Sequence, residues 1–193
     1  MRQFNLPIAV SNSHVHLSEE HFLKLFGQIE IEQADNIGHP KCFTNNLTVT
    51  LTGQKGKLEN IKALLPCSKE TWVELNRTHS YLLGVNPPLA DGELANGFIT
   101  ISTPRDKIKV KKNIVIERRH IEITKEQADK WNLTNGQFVK VFIDGQRSLT
   151  FNKVGVKIVE KINPSFNGRL ELDRDEANAS FANHGDIATI IVD

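Results

Sequence analysis

One short motif occurs twice in this chain, and it predicts a fold made of two similar halves. The first copy, HVHLSEE, spans residues 14–20, and the second, HIEITKE, spans residues 120–126. Each copy follows a short apolar run, at residues 7–10 and 113–116, and each leads into a stretch typical of a helix. We therefore expect one unit of strand, motif and helix to be used twice.

Short strands dominate the rest of the chain. Residues 47–52 (LTVTLT) alternate apolar side chains with threonine, which indicates a strand with one buried face. Further strands are predicted between turn-forming residues, at 58–65, 71–75, 98–103, 108–110, 138–143, 148–151, 155–159, 168–172 and 186–192. Short helices are predicted at 78–84, at 124–131, where Thr124 and Gln127 fit a capping box, and at 173–180. This pattern predicts a mainly β fold with short helices, as two similar small β-barrel domains with helical caps related by internal duplication.

Composition narrows the functional classes. A net charge of +1 over 193 residues gives no field that would draw the protein to nucleic acid or to a membrane surface. Cys42 and Cys67 form no CxxC pair, which favours unpaired thiols in a reducing compartment. The first residues lack the pattern of a secretion signal, and no apolar run approaches the roughly 18 residues of a membrane span. We expect a cytoplasmic protein.

The first motif copy offers two metal ligands. In an extended backbone residues i and i+2 share a face, so His14 and His16 present two imidazoles together. A catalytic zinc takes about three protein ligands and keeps one open position. A His-x-His pair at a strand end can equally be a solvated pair, and a third ligand decides between the two. Glu74 lies in a predicted strand opposite the face of Val73 and Leu75, where, judged alone, it is an exposed acid.

The second motif copy is weaker on the same reasoning. His120 and Glu122 also share a face, but Glu122 lies close to Arg118 and Arg119 and can simply form surface ion pairs. The other histidines have no spaced partners and are expected to be structural or at the surface; they are His21, His39, His79 and His184. The sequence carries no glycine-rich phosphate loop, G-x-S-x-G elbow or paired CxxC, which removes support from nucleotide-binding and serine-hydrolase functions.

At these residues the sequence resembles the PduL-type phosphate propanoyltransferases, a family of phosphotransacylases. The matching segments are residues 10–18 (VSNSHVHLS), 71–75 (TWVEL), 83–88 (LGVNPP), 119–123 (RHIEI) and 175–179 (DEANA), and they occur in the family's order. The resemblance implies two small barrels. One comprises residues 1–12 and 121–193, the other is an inserted domain of residues 13–120, and the metal site lies at their interface.

The resemblance also implies a two-zinc site and the exchange of CoA for phosphate on a short acyl group. His14, His16 and Glu74 match the ligands of the first metal. At the second metal only His120 is kept, while Glu122 and Glu171 stand where the family has histidines. Glutamate remains a competent ligand, but two carboxylates favour harder ions such as manganese or iron. Either the second site takes another divalent metal or it is lost.

A further departure concerns phosphate. Ser68 stands where the family has an arginine suited to phosphate, and Lys69 beside it supplies only a point charge. We expect Ser68, Lys69 and Arg119 to mark the catalytic surface, with Arg77 and Arg118 as other basic donors.

The predicted function is therefore a phosphotransacylase that interconverts propanoyl-CoA or acetyl-CoA plus phosphate with acyl phosphate plus CoA. One alternative is a degenerate member that binds CoA or acyl-CoA as a sensor or partner subunit. A second alternative is metal-assisted thioester hydrolysis. The resemblance further suggests a homodimer.

Overall fold

The computed structural model describes residues 2–28, 47–89, 98–159 and 165–192, and it is mainly β. The chain divides into two compact units, one formed by Met1–Asn12 with Arg118–Asp193 and the other by Ser13–Glu117. The predicted features at His39 and Cys42 lie outside the described residues. Within the described residues no helix is both long and apolar enough to cross a membrane.

Thirteen strands and four short helices are present in the part of the chain that the structure describes. The strands are β1 (Arg2–Ser11), β2 (His14–Ser18), β3 (Thr48–Thr52), β4 (Lys57–Ser68), β5 (Trp72–Glu74), β6 (Ile99–Ser102), β7 (Lys107–Val110), β8 (Ile114–Val115), β9 (His120–Thr124), β10 (Phe138–Ile143), β11 (Leu149–Val159), β12 (Arg169–Asp173) and β13 (Ile187–Val192). The helices are α1 (Glu19–Phe26), α2 (Arg77–Leu83), α3 (Lys125–Trp131) and α4 (Arg174–Ser180).

The unit that holds both chain ends is a closed six-stranded barrel in the order β1, β12, β9, β11, β10, β13. Closure leaves no unpaired sheet edge in this barrel. Its core comes from alternate positions of the strands, such as Ile121 and Ile123 of β9, Leu170 of β12 and Ile190 of β13, all of which are fully buried. The residues between Ile121 and Ile123 and on either side of them therefore face away from this apolar core.

The other unit is a seven-stranded sheet in the order β7, β6, β3, β4, β2, β5, β8. Its core also follows the two-residue period: Val15 and Leu17 of β2 and Val73 of β5 are buried among apolar neighbours. His14, His16 and Glu74 alternate with these residues along the same two strands, so they lie on the opposite face. The two barrel-like sheets and their short helices confirm the predicted mainly β class.

Both motif copies form a strand that passes directly into a helix. In the first, the side chain of Ser18 caps α1 by accepting a hydrogen bond from the backbone N–H of His21. In the second, Thr124 accepts from the backbone N–H of Gln127, and the Gln127 side chain accepts from that of Thr124. This is the capping box predicted from the sequence.

The sequence pattern divided one strand of the barrel into two. The predicted strands at 148–151 and 155–159 are both part of β11, which runs without a break from Leu149 to Val159. Lys153 adopts a positive φ of 54°, and the pairing register with β10 shifts between Val139 and Val141. A bulge of this kind interrupts the two-residue pattern without ending the strand, which explains the error.

The capping box makes a stability prediction. Thr124→Ala removes the side-chain acceptor for the N–H of Gln127 and is expected to lower the free energy of unfolding by about 1 kcal/mol. Thr124→Ser keeps the hydroxyl and serves as the matched control. Urea denaturation followed by circular dichroism measures both; equal loss in the two variants would show that the hydroxyl does not stabilise the helix.

Candidate metal centre

Strand pairing brings the residues of the first motif copy to a carboxylate that lies far away in the sequence. β2 pairs with β5 in antiparallel register, with His14 opposite Glu74 and His16 opposite Trp72. Since His14 and His16 already share a face of β2, this register adds Glu74 to the same face. The three donors belong to one sheet and lie wholly within the unit of residues 13–117. The predicted place of this site at a domain interface stays a prediction.

The donor atoms of these three residues have separations suited to a single metal ion. The two Nε2 atoms of His14 and His16 lie 3.1 Å apart. Glu74 Oε2 lies 3.4 Å from His14 Nε2, and Glu74 Oε1 lies 3.8 Å from His16 Nε2. Bonds of about 2.0–2.1 Å in a tetrahedral zinc site put ligand atoms about 3.3 Å apart. The measured separations bracket that value, so the group can hold a metal ion.

Burial holds this group in place. His16 and Glu74 are only 8% and 6% exposed, and the indole of Trp72 stacks on the His16 ring at a centroid distance of 4.3 Å. Trp72 was not singled out as a site residue by the sequence, although its position two residues from Glu74 places it on the same face. The interpretation of Glu74 from its local sequence as an exposed acid is wrong, because its side chain is buried and lies against His14 and His16 on their shared face of the sheet.

The charge state of Glu74 suits metal binding. Burial raises the pKa of its carboxyl group, but the contacts with His14, a hydrogen bond with Glu117 and the charge of His16 more than compensate and lower the pKa to about 2. Glu74 is therefore ionised at neutral pH, as a carboxylate ligand must be. The residues present fit a divalent cation with two imidazoles and one carboxylate.

The second motif copy has a different environment, inside the barrel unit. β12 pairs with β9 so that Arg169 lies opposite Glu122, and Glu171 lies opposite His120. Arg169 Nη2 is 2.9 Å from Glu122 Oε2 and 2.6 Å from Glu171 Oε1. Lys157 Nζ lies 3.1 Å from Glu122 Oε1, and His120 Nε2 lies 3.6 Å from the same oxygen. Both carboxylates thus have cationic partners from the chain itself.

These contacts do not fit a second metal ion. Burial raises the pKa of Glu122, but its bond with His120 and the charges of Arg169 and Lys157 hold it well below its usual range. The guanidinium of Arg169 already lies between Glu122 and Glu171, the two carboxylates that a second metal ion would need as ligands. One sequence signal indicates this contact: Arg169 and Glu171 lie two residues apart in one strand and therefore share a face.

The residues expected to handle phosphate lie in both units. Ser68 ends β4, where its hydroxyl donates to the carbonyl oxygens of Glu70 and Leu17. With Lys69 it lines an open cleft of about 850 Å³ in the unit of residues 13–117. The same cleft is also lined by Lys109, Lys111 and Lys112. Lys69 is therefore one of several lysines that face this cleft.

The arginines expected to donate to phosphate have partners in the structure. Arg119 Nη1 is 2.7 Å from Glu176 Oε1, and its Nη2 donates to the carbonyl oxygen of Asn152 at 2.8 Å. Arg77 donates to the side chain of Asn86 and lies over the ring of Tyr81. Arg118 lies 5.9 Å from the centroid of the Phe138 ring.

Three of the histidines without spaced partners have structural contacts. The Nδ1 of His184 accepts from the backbone N–H of Val10 at 3.4 Å. His79 Nδ1 lies 2.7 Å from Ser13 Oγ, which also accepts from the backbone N–H of Asn76. His21 Nδ1 lies 2.7 Å from Thr71 Oγ1. The contacts of His79 and His21 link α2 and α1 to Ser13 and Thr71, which directly precede the two strands that carry the metal donors.

Comparisons with known proteins identify the family of this chain. The sequence model of the phosphate propanoyltransferase family matches residues 7–183. The phosphate propanoyltransferase of Thermotoga maritima is 36% identical over 188 residues, which cover 95% of this chain and 88% of that protein. That of Clostridioides difficile is 34% identical, covering 96% and 88%, and that of Salmonella typhimurium is 32% identical, covering 95% and 87%.

The family match and these relatives, which cover nearly the whole chain, make this protein an acyltransferase. The chain belongs to the phosphate propanoyltransferase family, which confirms the resemblance identified from its sequence.

Proposed function

We propose that this protein is a phosphotransacylase that interconverts a short acyl-CoA and phosphate with the acyl phosphate and CoA, and that it uses one zinc ion. The observation that carries the proposal is the buried group of His14, His16 and Glu74, whose donor atoms all lie within 4.8 Å of one another. Two imidazoles and one carboxylate are a ligand set of catalytic zinc, with a fourth position left for substrate. Propanoyl-CoA and acetyl-CoA are the proposed substrates.

Each residue of the site has a defined task. Zinc, when bound, supplies a Lewis acid that polarises a thioester carbonyl and stabilises the oxyanion that forms from it. His14 and His16 hold two ligand positions from one strand, and Glu74 provides the negative charge that the two neutral imidazoles lack. Trp72 packs against His16 and fixes the orientation of its ring.

Phosphate needs basic donors, and we propose that Lys69 is one of them. It lines the same cleft as Ser68 and three other lysines, and Glu19, Glu20 and Glu70 line it too, so four positive charges there face three negative ones. Ser68 offers a hydroxyl where an arginine would offer a planar fork of donors. We assign Arg119 the task of a fixed positive charge, since Glu176 and the Asn152 carbonyl hold its guanidinium in one orientation.

The assay that tests this function measures free CoA released from propanoyl-CoA with a thiol reagent, in the presence and absence of phosphate. Phosphate-dependent release together with formation of propanoyl phosphate supports the proposal. Release at the same rate without phosphate indicates a metal-assisted hydrolase instead. Absence of turnover with either propanoyl-CoA or acetyl-CoA in the zinc-loaded protein contradicts both.

A second candidate function is CoA or acyl-CoA binding without turnover, as a sensor or partner subunit. Two features favour it: Ser68 stands where the family resemblance implies an arginine suited to phosphate, and Arg169 lies between Glu122 and Glu171. Calorimetry with CoA distinguishes this function from the first. CoA binding in a protein that fails the assay above would support it.

The substitution at Ser68 gives a prediction of its own. Ser68→Arg is expected to lower the KM for phosphate about tenfold, because a charged, bidentate donor contributes more than a hydroxyl by roughly 1.4 kcal/mol. Ser68→Lys is the matched control, since it adds the charge without the fork. A KM that responds equally to both variants would show that charge alone matters at this position.

A further inference from the structure

We propose that the guanidinium of Arg169 is a built-in cation that takes the place of a metal ion between Glu122 and Glu171. The protein accordingly binds one divalent metal per chain, at His14, His16 and Glu74. The number of bound metal ions does not depend on whether the chain turns over acyl-CoA. Of the two alternatives that the sequence left open, another divalent metal at the second site or the loss of that site, we propose the loss.

Arg169 lies at ion-pair distance from both carboxylates. Its Nε donates to Glu122 Oε2 at 3.1 Å, and its Nη2 lies 2.9 Å from the same oxygen. That Nη2 also lies 2.6 Å from Glu171 Oε1, so it is at ion-pair distance from both acids, while the hydrogen bond of this guanidinium is made by Nε. The Arg169 and Glu122 side chains are 8% and 1% exposed, respectively. A metal ion between these acids would occupy the space of a buried guanidinium.

Charge balance gives the second argument. Glu122 and Glu171 carry two negative charges, and Arg169 and Lys157 supply two positive ones within ion-pair distance. A divalent cation added here would be repelled by a guanidinium a few ångströms away, in a site where low exposure strengthens the repulsion. By contrast, the ion-pair partners of Glu74 within the described residues are two histidines, which can bind a metal in their neutral form.

The first experiment counts metals. Protein stripped by a chelator is loaded with Zn²⁺ or Mn²⁺, passed through a desalting column and analysed by inductively coupled plasma mass spectrometry. The expected content is one metal per chain in the wild type and none in the variant His14→Ala/His16→Ala. Two metals in the wild type, or one remaining in that variant, would overturn the proposal.

The second experiment removes the built-in cation. Arg169→Met is expected to raise the capacity for Mn²⁺ or Zn²⁺ from one to two per chain, and added metal should raise its melting temperature more than that of the wild type. Lys157→Met, which removes the more exposed partner of Glu122, is the control and should keep one metal. A folded Arg169→Met that still binds one metal would contradict the proposal. If Arg169→Met does not fold, the count in the wild type and in His14→Ala/His16→Ala decides.

Discussion

Replacing Glu74 by glutamine is expected to abolish metal binding and to reduce kcat/KM for acyl transfer about 10³-fold. The amide keeps the shape of the side chain but removes the negative charge that binds a cation between two neutral imidazoles. Loss of Lewis-acid stabilisation of an oxyanion amounts to several kcal/mol, and each 1.36 kcal/mol is a factor of ten in rate. Metal analysis of the purified variant and the CoA-release assay measure the two effects separately.

The matched control for this variant is Glu59→Gln. Glu59 lies in the same sheet and also carries a cationic partner, Lys57, but its side chain is 57% exposed. We expect Glu59→Gln to keep its metal and its activity. If Glu74→Gln lost activity but retained a full equivalent of metal, Glu74 would not be a ligand and would have to act on substrate directly. If it retained both, the proposed site would be wrong.

The sequence could predict part of this site because part of it is local. His14 and His16 are two residues apart in one strand, and an extended backbone is sufficient to put their side chains on one face. Glu74 is different, since its place beside His14 depends on the pairing of two strands about 60 residues apart. Its own strand, Trp72–Glu74, is too short for its pattern to show that both faces are covered. Only the resemblance to a family supplied Glu74 as a ligand.

The second candidate group, at Glu122 and Glu171, depends even more on the pairing of distant strands. The resemblance placed Glu122 and Glu171 at ligand positions. In the structure both carboxylates pair with Arg169, two residues before Glu171. The ion pair across the sheet follows from the β9 and β12 register, which sets Arg169 opposite Glu122. A one-residue slip would turn Arg169 to the other face of its strand. Local sequence therefore gave the strands and the shared face, while long-range pairing decided which charges meet.

The buried ion pairs of Glu122 lead to the largest predicted effect on stability. Glu122→Gln is expected to lower the free energy of unfolding of the metal-free protein by about 3–5 kcal/mol, because it leaves the buried guanidinium of Arg169 with one carboxylate partner fewer. Urea denaturation measures the loss. Lys157→Gln is the control: its side chain is 50% exposed, and its ion pair with Glu122 should contribute less than about 1 kcal/mol.

The same ion pairs predict how stability depends on pH. Since the pKa of Glu122 in the folded protein lies below its ordinary value of 4.5, the unfolded chain takes up a proton at this group before the folded one does. Its contribution is therefore fully present well above pH 4.5 and is lost as the pH falls below that value toward the folded pKa. Urea midpoints measured between pH 7 and pH 3 should fall more steeply in the wild type than in Glu122→Gln. Parallel curves would mean that folding does not lower the pKa of Glu122. Equal losses in Glu122→Gln and Lys157→Gln at pH 7 would mean that the ion pair of Glu122 with Arg169 contributes no more than its exposed pair with Lys157.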